Sequence, residues 1–409
     1  METIRLGDIL QIKHGYAFKG EYFTDEDTGK LVLTPGNFSL KGGFQQTKKF
    51  TNEEGFPNEF ILKPGDLIVT MTDLSKEIDT IGYSALVPDD GKQYLHNQRI
   101  GLVTIIDPKF DKGFIYWLMR SKHYQRFIAN TSNGATVHHT SPARIYNYQF
   151  AKIDQHNQRR IASILSAYDN LIENNTRRIR LLEQMAENIY KEWFVRFRFP
   201  GHENAEFENG LPKGWTKVAS STVIDIMSGG TPKTDRDEFY NGKIPFFTPK
   251  DANDSIFVYN TLTYITEEGL AHCNSQYYPV DTLMVTARGT VGKLSLLAVP
   301  MAMNQSCFAL KFKDNQNPYY IYYAMKNEVA RLKKMANGGV FDTIIIKTFD
   351  HISLVIPTDG MFRAFNKIIT PIFGQIQHLE RQNHLLARQR DLLLPRLMSG
   401  KIEINVEPN

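Results

Sequence analysis

Two stretches of the chain carry apolar residues at alternating spacings of four and three positions. In the first stretch the recurring positions are Ile161, Leu165, Tyr168, Ile172, Asn175, Ile179, Leu182, Ala186, Ile189 and Trp193. This is the spacing of the a and d positions of a heptad repeat, so it predicts a long helix that packs against another helix. At about 1.5 Å per residue, the helix would measure roughly 48 Å from Ile161 to Trp193.

The second stretch repeats the first at a constant offset of 204 residues. Its positions are Phe365, Ile369, Ile372, Ile376, Leu379, Asn383, Leu386, Arg390, Leu393 and Leu397. Each seam holds one asparagine, and a polar residue at such a position fixes register and partner at some cost in stability. The repetition of one heptad pattern at a constant offset favours two spacer helices over two ordinary core helices. Pro371 is expected to kink the second helix or delay its start, because proline lacks a backbone N–H.

The block that precedes each helix is also duplicated. The matching pairs are Leu6-Gly-Asp-Ile-Leu-Gln-Ile-Lys-His-Gly15 with Ser220-Ser-Thr-Val-Ile-Asp-Ile-Met-Ser-Gly229, Thr34-Pro35 with Thr248-Pro249, Pro64-Gly-Asp66 with Pro279-Val-Asp281, Leu67-Ile-Val-Thr70 with Leu283-Met-Val-Thr286, Ile81-Gly82 with Val291-Gly292, Asn97-Gln98 with Asn304-Gln305, and Ile115-Tyr-Trp-Leu-Met-Arg120 with Ile321-Tyr-Tyr-Ala-Met-Lys326. The offset between partners rises from 214 to 216 and then falls in order through 210, 207 and 206, toward the 204 of the two helices. Such an ordered drift indicates two copies of one unit that differ in a few loop lengths. The largest difference sets residues 71–80 against the shorter 287–290, where a loop could carry a different specificity in each copy.

Composition narrows the class of protein only a little. The 409 residues contain 48 Lys and Arg against 44 Asp and Glu, a mild basic excess that permits a polyanionic partner. Cys273 and Cys307 are the only cysteines and offer neither a disulfide framework nor metal-ligand spacing. No signal peptide opens the sequence, and no stretch approaches the roughly 18 to 20 apolar residues of a membrane span. We therefore expect a soluble, cytoplasmic protein.

Three short motifs raise the question of catalysis. Asn317-Pro-Tyr-Tyr320 resembles the Asn-Pro-Pro-Tyr loop of adenine methyltransferases, but it lacks the second proline and has no Gly-rich cofactor turn before it. Gly229-Gly-Thr-Pro-Lys233 does not fit a phosphate-binding loop and is better interpreted as a turn after the first strand of the second block. The adjacent His138 and His139 have no supporting cysteine or carboxylate cluster, which disfavours a metal site. We expect no catalytic residue and no metal.

Two segments resemble a known family. Ala186-Glu-Asn-Ile-Tyr-Lys-Glu-Trp-Phe-Val-Arg-Phe197 followed by Leu211-Pro-Lys-Gly-Trp215, and the ending Arg390-Asp-Leu-Leu-Leu-Pro-Arg-Leu-Met-Ser-Gly-Lys-Ile402, resemble the central and C-terminal common regions of specificity subunits of Type I restriction-modification systems. The resemblance implies an α/β (α+β) fold: two tandem target-recognition domains with curved or partly barrel-like sheets, separated by two long antiparallel coiled-coil helices, in a pseudo-twofold internal repeat. The expected boundaries are 1–155 and 215–357 for the two domains, 156–198 and 358–400 for the helices, 199–214 for a Pro- and Gly-broken linker, and 401–409 for a tail.

The resemblance also implies a function. Each domain would read one half of a bipartite double-stranded DNA target, and the helices would set the spacer and dock two modification (methyltransferase) subunits. Restriction subunits would add translocation and cleavage. The chain itself would need no cofactor, because S-adenosylmethionine, ATP and Mg are expected on the partner subunits. The alternatives are a self-contained DNA adenine methyltransferase with a fused recognition domain, and a coiled-coil scaffold without a nucleic-acid role.

Candidate DNA contacts are the polar and basic residues of loops that follow the strands, since phosphate contacts give position and base-edge contacts give identity. In the first domain they are Lys13, His14, Tyr16, Lys19, Thr72, Asp73, Lys76, Thr136, His138 and His139. In the second domain they are Ser228, Thr231, Lys233, Arg288, Thr290, Lys293, Asn337, Phe341 and Asp342.

Overall fold

The computed structural model describes residues 2–40, 42–75, 78–134, 136–313, 317–335 and 343–399. The chain divides into two compact units. Unit 1 comprises Met1–Asn174 together with Asn383–Asn409, and unit 2 comprises Asn175–Gln382. Each of the two long helices therefore contributes one part to each unit.

Unit 1 is a mixed unit of sheet and helix. Its strands are β1 Thr3–Arg5, β2 Leu10–His14, β3 Phe23–Thr24, β4 Lys30–Val32, β5 Phe50–Thr51, β6 Ile61–Leu62, β7 Leu67–Thr70, β8 Thr72–Asp73, β9 Ser84–Leu86, β10 Gln93–Leu95, β11 Ile100–Ile105, β12 His138–His139 and β13 Gln149–Ala151. Its helices are α1 Lys112–Leu118, α2 Lys122–Thr131, α3 Pro142–Tyr146 and the first part of the long helix α4, Gln155–Tyr190, which continues through a π-helical turn at Lys191–Val195.

The strands of unit 1 form two main sheets, and the apolar strand β7 contributes side chains to the cores on both faces of its sheet. The order of the antiparallel sheet is β2-β11-β7-β9, and that of the mixed sheet is β3-β5-β4-β10-β6, in which β4 and β10 run parallel. Alternate residues of a strand point to opposite faces. Leu67 and Val69 accordingly join a core with α1 and α4, while Ile68 joins the core between the sheets. Unit 1 is thus layered as helices, antiparallel sheet and mixed sheet.

Unit 2 has the same layers. Its strands are β14 Phe207–Glu208, β15 Leu211–Pro212, β16 Thr216–Ala219, β17 Ile224–Ser228, β18 Tyr240–Phe247, β19 Phe257–Val258, β20 Thr263–Ile265, β21 Leu283–Thr286, β22 Leu294–Leu297, β23 Ala302–Met303, β24 Cys307–Phe312 and β25 Ser353–Ile356. Its helices are α5 Ser220–Val223, α6 Glu267–Ala271, α7 Pro318–Met335, α8 Ile346–Asp350 and the first part of α9, Asp359–Met398. The sheet orders are β17-β24-β21-β22-β19 and β20-β18-β23. In both units, the sheets formed by the described residues are open and do not close into a barrel.

Backbone hydrogen bonds align the two copies more accurately than side chains do. The Gly65 N–H donates to the Val87 carbonyl at 2.8 Å, and the Asp281 N–H donates to the Leu297 carbonyl at 2.9 Å. Both residues have positive φ, 80° and 62°. Gly65 is therefore the counterpart of Asp281, and the match of Asp66 with Asp281 drawn from the sequence is wrong by one residue.

The two long helices pack antiparallel within unit 2. The Asn175 side-chain amide donates to Gln382 at 3.0 Å, and the Trp193 ring lies 5.9 Å from that of Phe365. In unit 1, buried residues of both helices share one core: Ile161, Ala162 and Leu165 from α4, and Leu394 and Leu397 from α9. The predicted seam positions are all buried or partly buried: Ile161, Leu165, Tyr168, Ile172, Asn175, Ile179, Leu182, Ile189, Ile369, Ile372, Ile376, Leu379, Asn383, Leu386 and Leu393.

Pro371 does not delay the second helix, contrary to the expectation from the sequence. Helix α9 begins at Asp359 and runs through Pro371 and Pro395 to Met398. Pro371 lies on the exposed side of the helix. A carbonyl that loses its N–H partner there can bond to water instead, so the helix tolerates the proline.

Candidate nucleic-acid interface

The predicted DNA-contacting loops of unit 1 meet at one edge of the antiparallel sheet. Strands β2 and β7 end at this edge and strands β9 and β11 begin there, because His14 pairs with Gly101, Thr70 with Ile100 and Val69 with Ser84. The predicted residues Lys13 and His14 lie at the end of β2, and Tyr16 and Lys19 lie in the loop after it. Thr72 and Asp73 form the short strand β8, which follows β7. We call this feature the loop edge of unit 1.

A third loop joins the same edge through a short ribbon. Strands β8 and β12 pair with His138 opposite Asp73 and His139 opposite Thr72. The Thr72 hydroxyl and the Nδ1 atom of His139 are 3.1 Å apart. The exposed Thr136 lies in this third loop. All three groups of residues chosen from the sequence are therefore neighbours in unit 1, except Lys76, which lies outside the described residues.

Asp73 shapes the loop edge from within. Its carboxylate is buried and accepts hydrogen bonds from the backbone N–H groups of Ser75 and Thr80, both at 2.7 Å, and of Ile81 at 2.9 Å. Burial alone would raise the pKa of this carboxyl, but the hydrogen bonds from Ser75 and Thr80 outweigh it and lower the pKa. Thr72 is also buried. In this conformation both side chains form hydrogen bonds within the loop edge, and their role as DNA contacts stays a prediction.

Lysines lie over aromatic rings beside this loop edge. The Lys13 ammonium lies 5.0 Å from the centre of the Phe60 ring and forms a 2.6 Å ion pair with Glu59. Lys19 lies 6.0 Å from the Tyr22 ring. The half-buried Tyr16 packs against Phe60 at 5.6 Å. These contacts restrain the long side chains while leaving the charges at the surface.

The mixed sheet continues this lysine–aromatic pattern with residues that the sequence analysis missed. Lys30 lies 6.0 Å from the Phe56 ring, and Lys49 lies 5.3 Å from the Phe23 ring. The sequence signal was weak, because each lysine is separated from its ring by tens of residues. Only the pairing of β4 and β3 with β5 brings them together.

Unit 2 builds the same loop edge with different side chains. Ser228 pairs with Phe308, Thr286 with Cys307 and Val285 with Leu294, so the loops after β17 and β21 again emerge together. The predicted contacts that are exposed here are Ser228, Thr231, Lys233, Arg288 and Thr290. Lys233 and Arg288 form no ion pair with the described part of the chain, so their charges are available to an anionic partner.

The remaining predicted residues of unit 2 divide into two groups. Lys293 is half-buried, donates to the Ala252 carbonyl at 3.4 Å and pairs with Asp254 at 3.3 Å, so it holds the loop after β21 against its neighbour. Three residues lie outside the described residues: Asn337, Phe341 and Asp342. The end of that third loop is described, and its Ile344 N–H donates to the Ala287 carbonyl at 3.0 Å. Unit 1 has the corresponding bond from Thr140 to Met71, also at 3.0 Å.

The methyltransferase-like motif is a turn into an aromatic helix. Asn317 is buried with φ of 63° and accepts a hydrogen bond from Asn366. The Tyr319 ring stacks on Phe373 at 4.0 Å, and Tyr320 is 1% exposed. A flipped base needs an open aromatic face and a free amide. Here Asn317, Tyr319 and Tyr320 are all buried, so neither the amide nor an aromatic face is open to a base, and this motif belongs to the core.

The described residues also bear on two rival classes of site, a metal centre and a membrane-spanning helix. Among those residues, no group of three or more His, Cys, Asp or Glu could hold a metal ion. None of the helices, as far as they are described, is both long and apolar enough to cross a membrane.

Two α/β units that each gather polar and basic loops at one sheet edge, and that share two long antiparallel helices, define the class of two-domain DNA-recognition subunits. The sequence model of the Type I restriction modification DNA specificity domain matches residues 1–184 and 212–384, most of the chain. The chain belongs to this family.

Individual relatives agree with this assignment. The chain is 23% identical over 299 residues to the Type I restriction enzyme MjaIX specificity subunit of Methanocaldococcus jannaschii, covering 71% of this chain and 69% of the relative. It is 24% identical over 394 residues to the HindI specificity subunit of Haemophilus influenzae, covering 78% and 86%. The crystal structure of the Type-I restriction-modification S subunit from M. genitalium has the same fold, with a TM-score of 0.60 at 16% identity over 99% of this chain and 96% of that one.

Proposed function

We propose that the chain is the DNA-recognition subunit of a Type I restriction-modification complex, with each unit reading one half of a gapped target through its loop edge. One observation carries the proposal: the same hydrogen-bonded frame is built twice in one chain and holds loops of different length and chemistry. The bonds from Thr140 to Met71 and from Ile344 to Ala287 belong to this frame. A constant frame that carries different loops suits two units that recognise different half-sites.

The exposed side chains of each edge provide the two kinds of contact that specific DNA binding needs. Lysines such as Lys19 and Lys233 suit phosphates, which position the protein without reporting sequence. Arg288 can donate two parallel hydrogen bonds to the O6 and N7 atoms of guanine in the major groove. Because these contacts differ between the units, the two half-sites should differ in sequence. The helices would fix the length of the unread spacer.

Mapping of methylated adenines tests this proposal. Expressed with its modification subunits in a host that lacks adenine methylation, the chain should direct methylation to one gapped motif. Arg288→Ala should relax or weaken reading of one half of the motif only. The control Lys217→Ala, on the β16–β25 ribbon outside the loop edge, should leave the motif unchanged. An ungapped motif, or equal loss at both halves with Arg288→Ala, would contradict the proposal.

We further propose that two modification subunits dock on exposed apolar strips of the long helices. In unit 2, Leu181 and Met185 on α4 are exposed, and in unit 1, Leu385 and Leu392 on α9 are exposed. The spacings of four and seven place each pair on one helical face. Leu181 and Leu385 are also equivalent in the repeat, being 204 residues apart. An exposed leucine at the same repeat position of each helix suits two copies of one partner.

The partners would carry the chemistry. Modification subunits would bind S-adenosylmethionine and methylate adenine, and restriction subunits would use ATP and Mg. The work of such a complex on chromosomal DNA would take place in the cytoplasm. The alternative of a self-contained methyltransferase is disfavoured, because Asn317 and Tyr320 are both in the core.

Native mass spectrometry of the assembled complex tests the docking strips. Leu181→Glu and Leu385→Glu should each remove one modification subunit, because a charge replaces apolar contact area at one strip. Asn170→Glu, at an exposed position of α4, is the control and should leave the stoichiometry unchanged. Retention of both modification subunits by both leucine variants would disprove the docking strips without affecting the proposal for DNA reading.

A further inference from the structure

An Asn-Gln turn lies at the centre of each loop edge, and neither turn is among the predicted DNA contacts. In unit 1, the turn Asn97-Gln98 precedes β11, and in unit 2, the turn Asn304-Gln305 precedes β24. The loop after the first strand of the antiparallel sheet crosses each turn on one side. The loop after β7 or β21 bonds to the turn on the other side, through Met71 N–H to the Arg99 carbonyl at 3.1 Å and Ala287 N–H to the Ser306 carbonyl at 2.8 Å.

Each crossing is so close that only glycine fits. A Cβ atom at Gly15 would lie 2.3 Å from the His96 carbonyl oxygen, and one at Gly229 would lie 2.3 Å from the Asn304 carbonyl oxygen. Real Cβ atoms do not approach backbone oxygens at such distances, so the absence of a side chain is what permits the crossing. Both units thus press the same two backbone segments together at the same point.

Hydrogen bonds fix the turns in place. In unit 1, Tyr16 N–H donates to the His96 carbonyl at 2.8 Å, and Gln98 N–H donates back to the Tyr16 carbonyl at 2.9 Å. In unit 2, Gly230 N–H donates to the Met303 carbonyl at 3.2 Å. The backbone under each glutamine is therefore held on both sides before any ligand binds.

The glutamine side chains remain at the surface of these fixed turns. Gln98 and Gln305 are both exposed, whereas the preceding Asn97 is buried and Asn304 is half-buried. Within the described residues, the side-chain amide of Gln98 makes no hydrogen bond, and the amide oxygen of Gln305 accepts one from the Thr231 hydroxyl. Both amide NH₂ groups are available to a partner.

The chemistry of the amide indicates what that partner is. A glutamine side chain offers one donor and one acceptor at the spacing of the N6 and N7 atoms of adenine in the major groove. A pre-organised backbone keeps the entropy cost of that contact low. Exposed cations accompany both turns: Arg99 follows Gln98 in sequence, and Lys233 lies two residues after Thr231, whose hydroxyl donates to Gln305. Such cations suit the adjacent phosphates.

We propose that Gln98 and Gln305 are equivalent specificity-determining residues, each forming hydrogen bonds to the major-groove edge of an adenine in its own half-site. The inference rests on the proposed function and adds the residue and the base. It further implies that the two half-sites share one adenine at corresponding positions, although the longer loops beside the turns read different bases.

Competition binding with the chain in complex with its modification subunits tests the inference. Each base pair of the mapped target is substituted in turn, and the affinity of each duplex is compared with that of the unsubstituted target. Gln98→Ala should lose about tenfold to a hundredfold discrimination at one adenine of one half-site, the range of a good bidentate contact. Gln305→Ala should do the same in the other half-site, and Gln11→Ala, exposed within β2 and away from the edge, should change nothing.

A shape-conserving variant and the salt dependence separate the remaining outcomes. Gln98→Glu keeps the side-chain shape but loses the donor, so it should shift the preference at the same position from adenine toward cytosine, whose N4 amine donates. Uniform weakening on all duplexes with a smaller salt slope would indicate a phosphate contact and overturn the inference. Unchanged discrimination in both alanine variants would also overturn it, while the proposed function would stand. A wild-type complex that binds all duplexes equally would overturn both.

Discussion

A charged cluster in unit 1 joins α1, α4 and α9, and its removal should be costly. Asp169 on α4 accepts a hydrogen bond from Arg120 at 2.6 Å and another from Arg390 on α9. The side chains of Arg120 and Arg390 are only 4% and 10% exposed, and that of Asp169 is 28% exposed. Burial disfavours the charge of Arg390, but Asp169 and Asp391 together raise its pKa above the ordinary value. Both guanidinium groups also lie over the Trp117 ring, at 4.3 and 6.0 Å.

The substitution Asp169→Asn keeps the shape and removes the shared negative charge. Two nearly buried guanidinium groups would then face each other, and Arg390 would retain only Asp391 at 2.7 Å. Breaking a buried ion pair from one side typically destabilises by about 3 to 5 kcal/mol. Because Asp169 is partly open to water, we expect the lower end, about 3 kcal/mol. For a unit of about 200 residues, this corresponds to a fall in Tm of roughly 6 to 12 °C.

Calorimetry of the full chain, with hydrogen exchange of α1 to assign the transition to unit 1, measures this loss. Asn170→Ala, exposed on the same helix, is the matched control and should change stability by less than about 0.5 kcal/mol. Adding Arg390→Met to Asp169→Asn should recover part of the loss, because one of the two facing positive charges is removed. If Asp169→Asn behaves like the control, or if the double variant is less stable than the single one, the electrostatic reasoning is refuted.

Two further predictions concern pH and backbone packing. Glu380 is almost fully buried beside the Tyr259 hydroxyl, 3.0 Å away, and burial raises its pKa to about 7 from 4.5. Between these two pKa values, the folded state keeps a proton that the unfolded chain releases. The stability of unit 2 should therefore fall by up to about 3 kcal/mol as pH rises from about 4.5 through 7. Urea titrations at several pH values measure this slope, and Glu380→Gln should flatten it. Gly15→Ala should destabilise unit 1 by about 2 to 3 kcal/mol in urea unfolding, because its Cβ would lie 2.3 Å from the His96 oxygen, whereas Gly20→Ala has open space and should be tolerated. Equal effects of the two alanine variants would contradict the close crossing.

The helix pair is the part of the fold that the sequence predicts best. A heptad pattern that holds over ten positions in each segment is compatible with few structures other than a long packed helix. Periodicity is a local property of the sequence, so recognising it requires no knowledge of distant contacts. The error at Pro371 has a physical origin. The rule against proline in a helix assumes that the lost hydrogen bond goes unreplaced, but the exposed side of α9 gives access to water.

The candidate site was predictable in part. Loop residues that follow strands of one antiparallel sheet gather at its edge by topology, which is why the three loop groups of unit 1 meet. The role of each polar side chain depends on which distant segment of the chain packs against it. Asp73 was expected in a loop, but it lies in the short strand β8 and is buried where the N–H groups of Thr80 and Ile81 donate to its carboxylate. Nothing in the spacing of the sequence distinguishes such an internal cap from an exposed contact.

The two units also show what a repeat can preserve when its side chains diverge. At the repeat positions of Asp169 and Arg390, unit 2 has Phe373 and Ala186, and Phe373 stacks on Tyr319 where unit 1 has its ionic cluster. At this repeat position the long helices are thus joined to the segment of α1 by charge in unit 1, and α9 is joined to α7 by aromatic packing in unit 2. What the units share is carried by backbone: the crossings at Gly15 and Gly229 and the bonds that align their loops. A frame held by backbone hydrogen bonds does not depend on the identity of most side chains around it. The loops at each edge can therefore change sequence, and with it specificity, without loss of the fold.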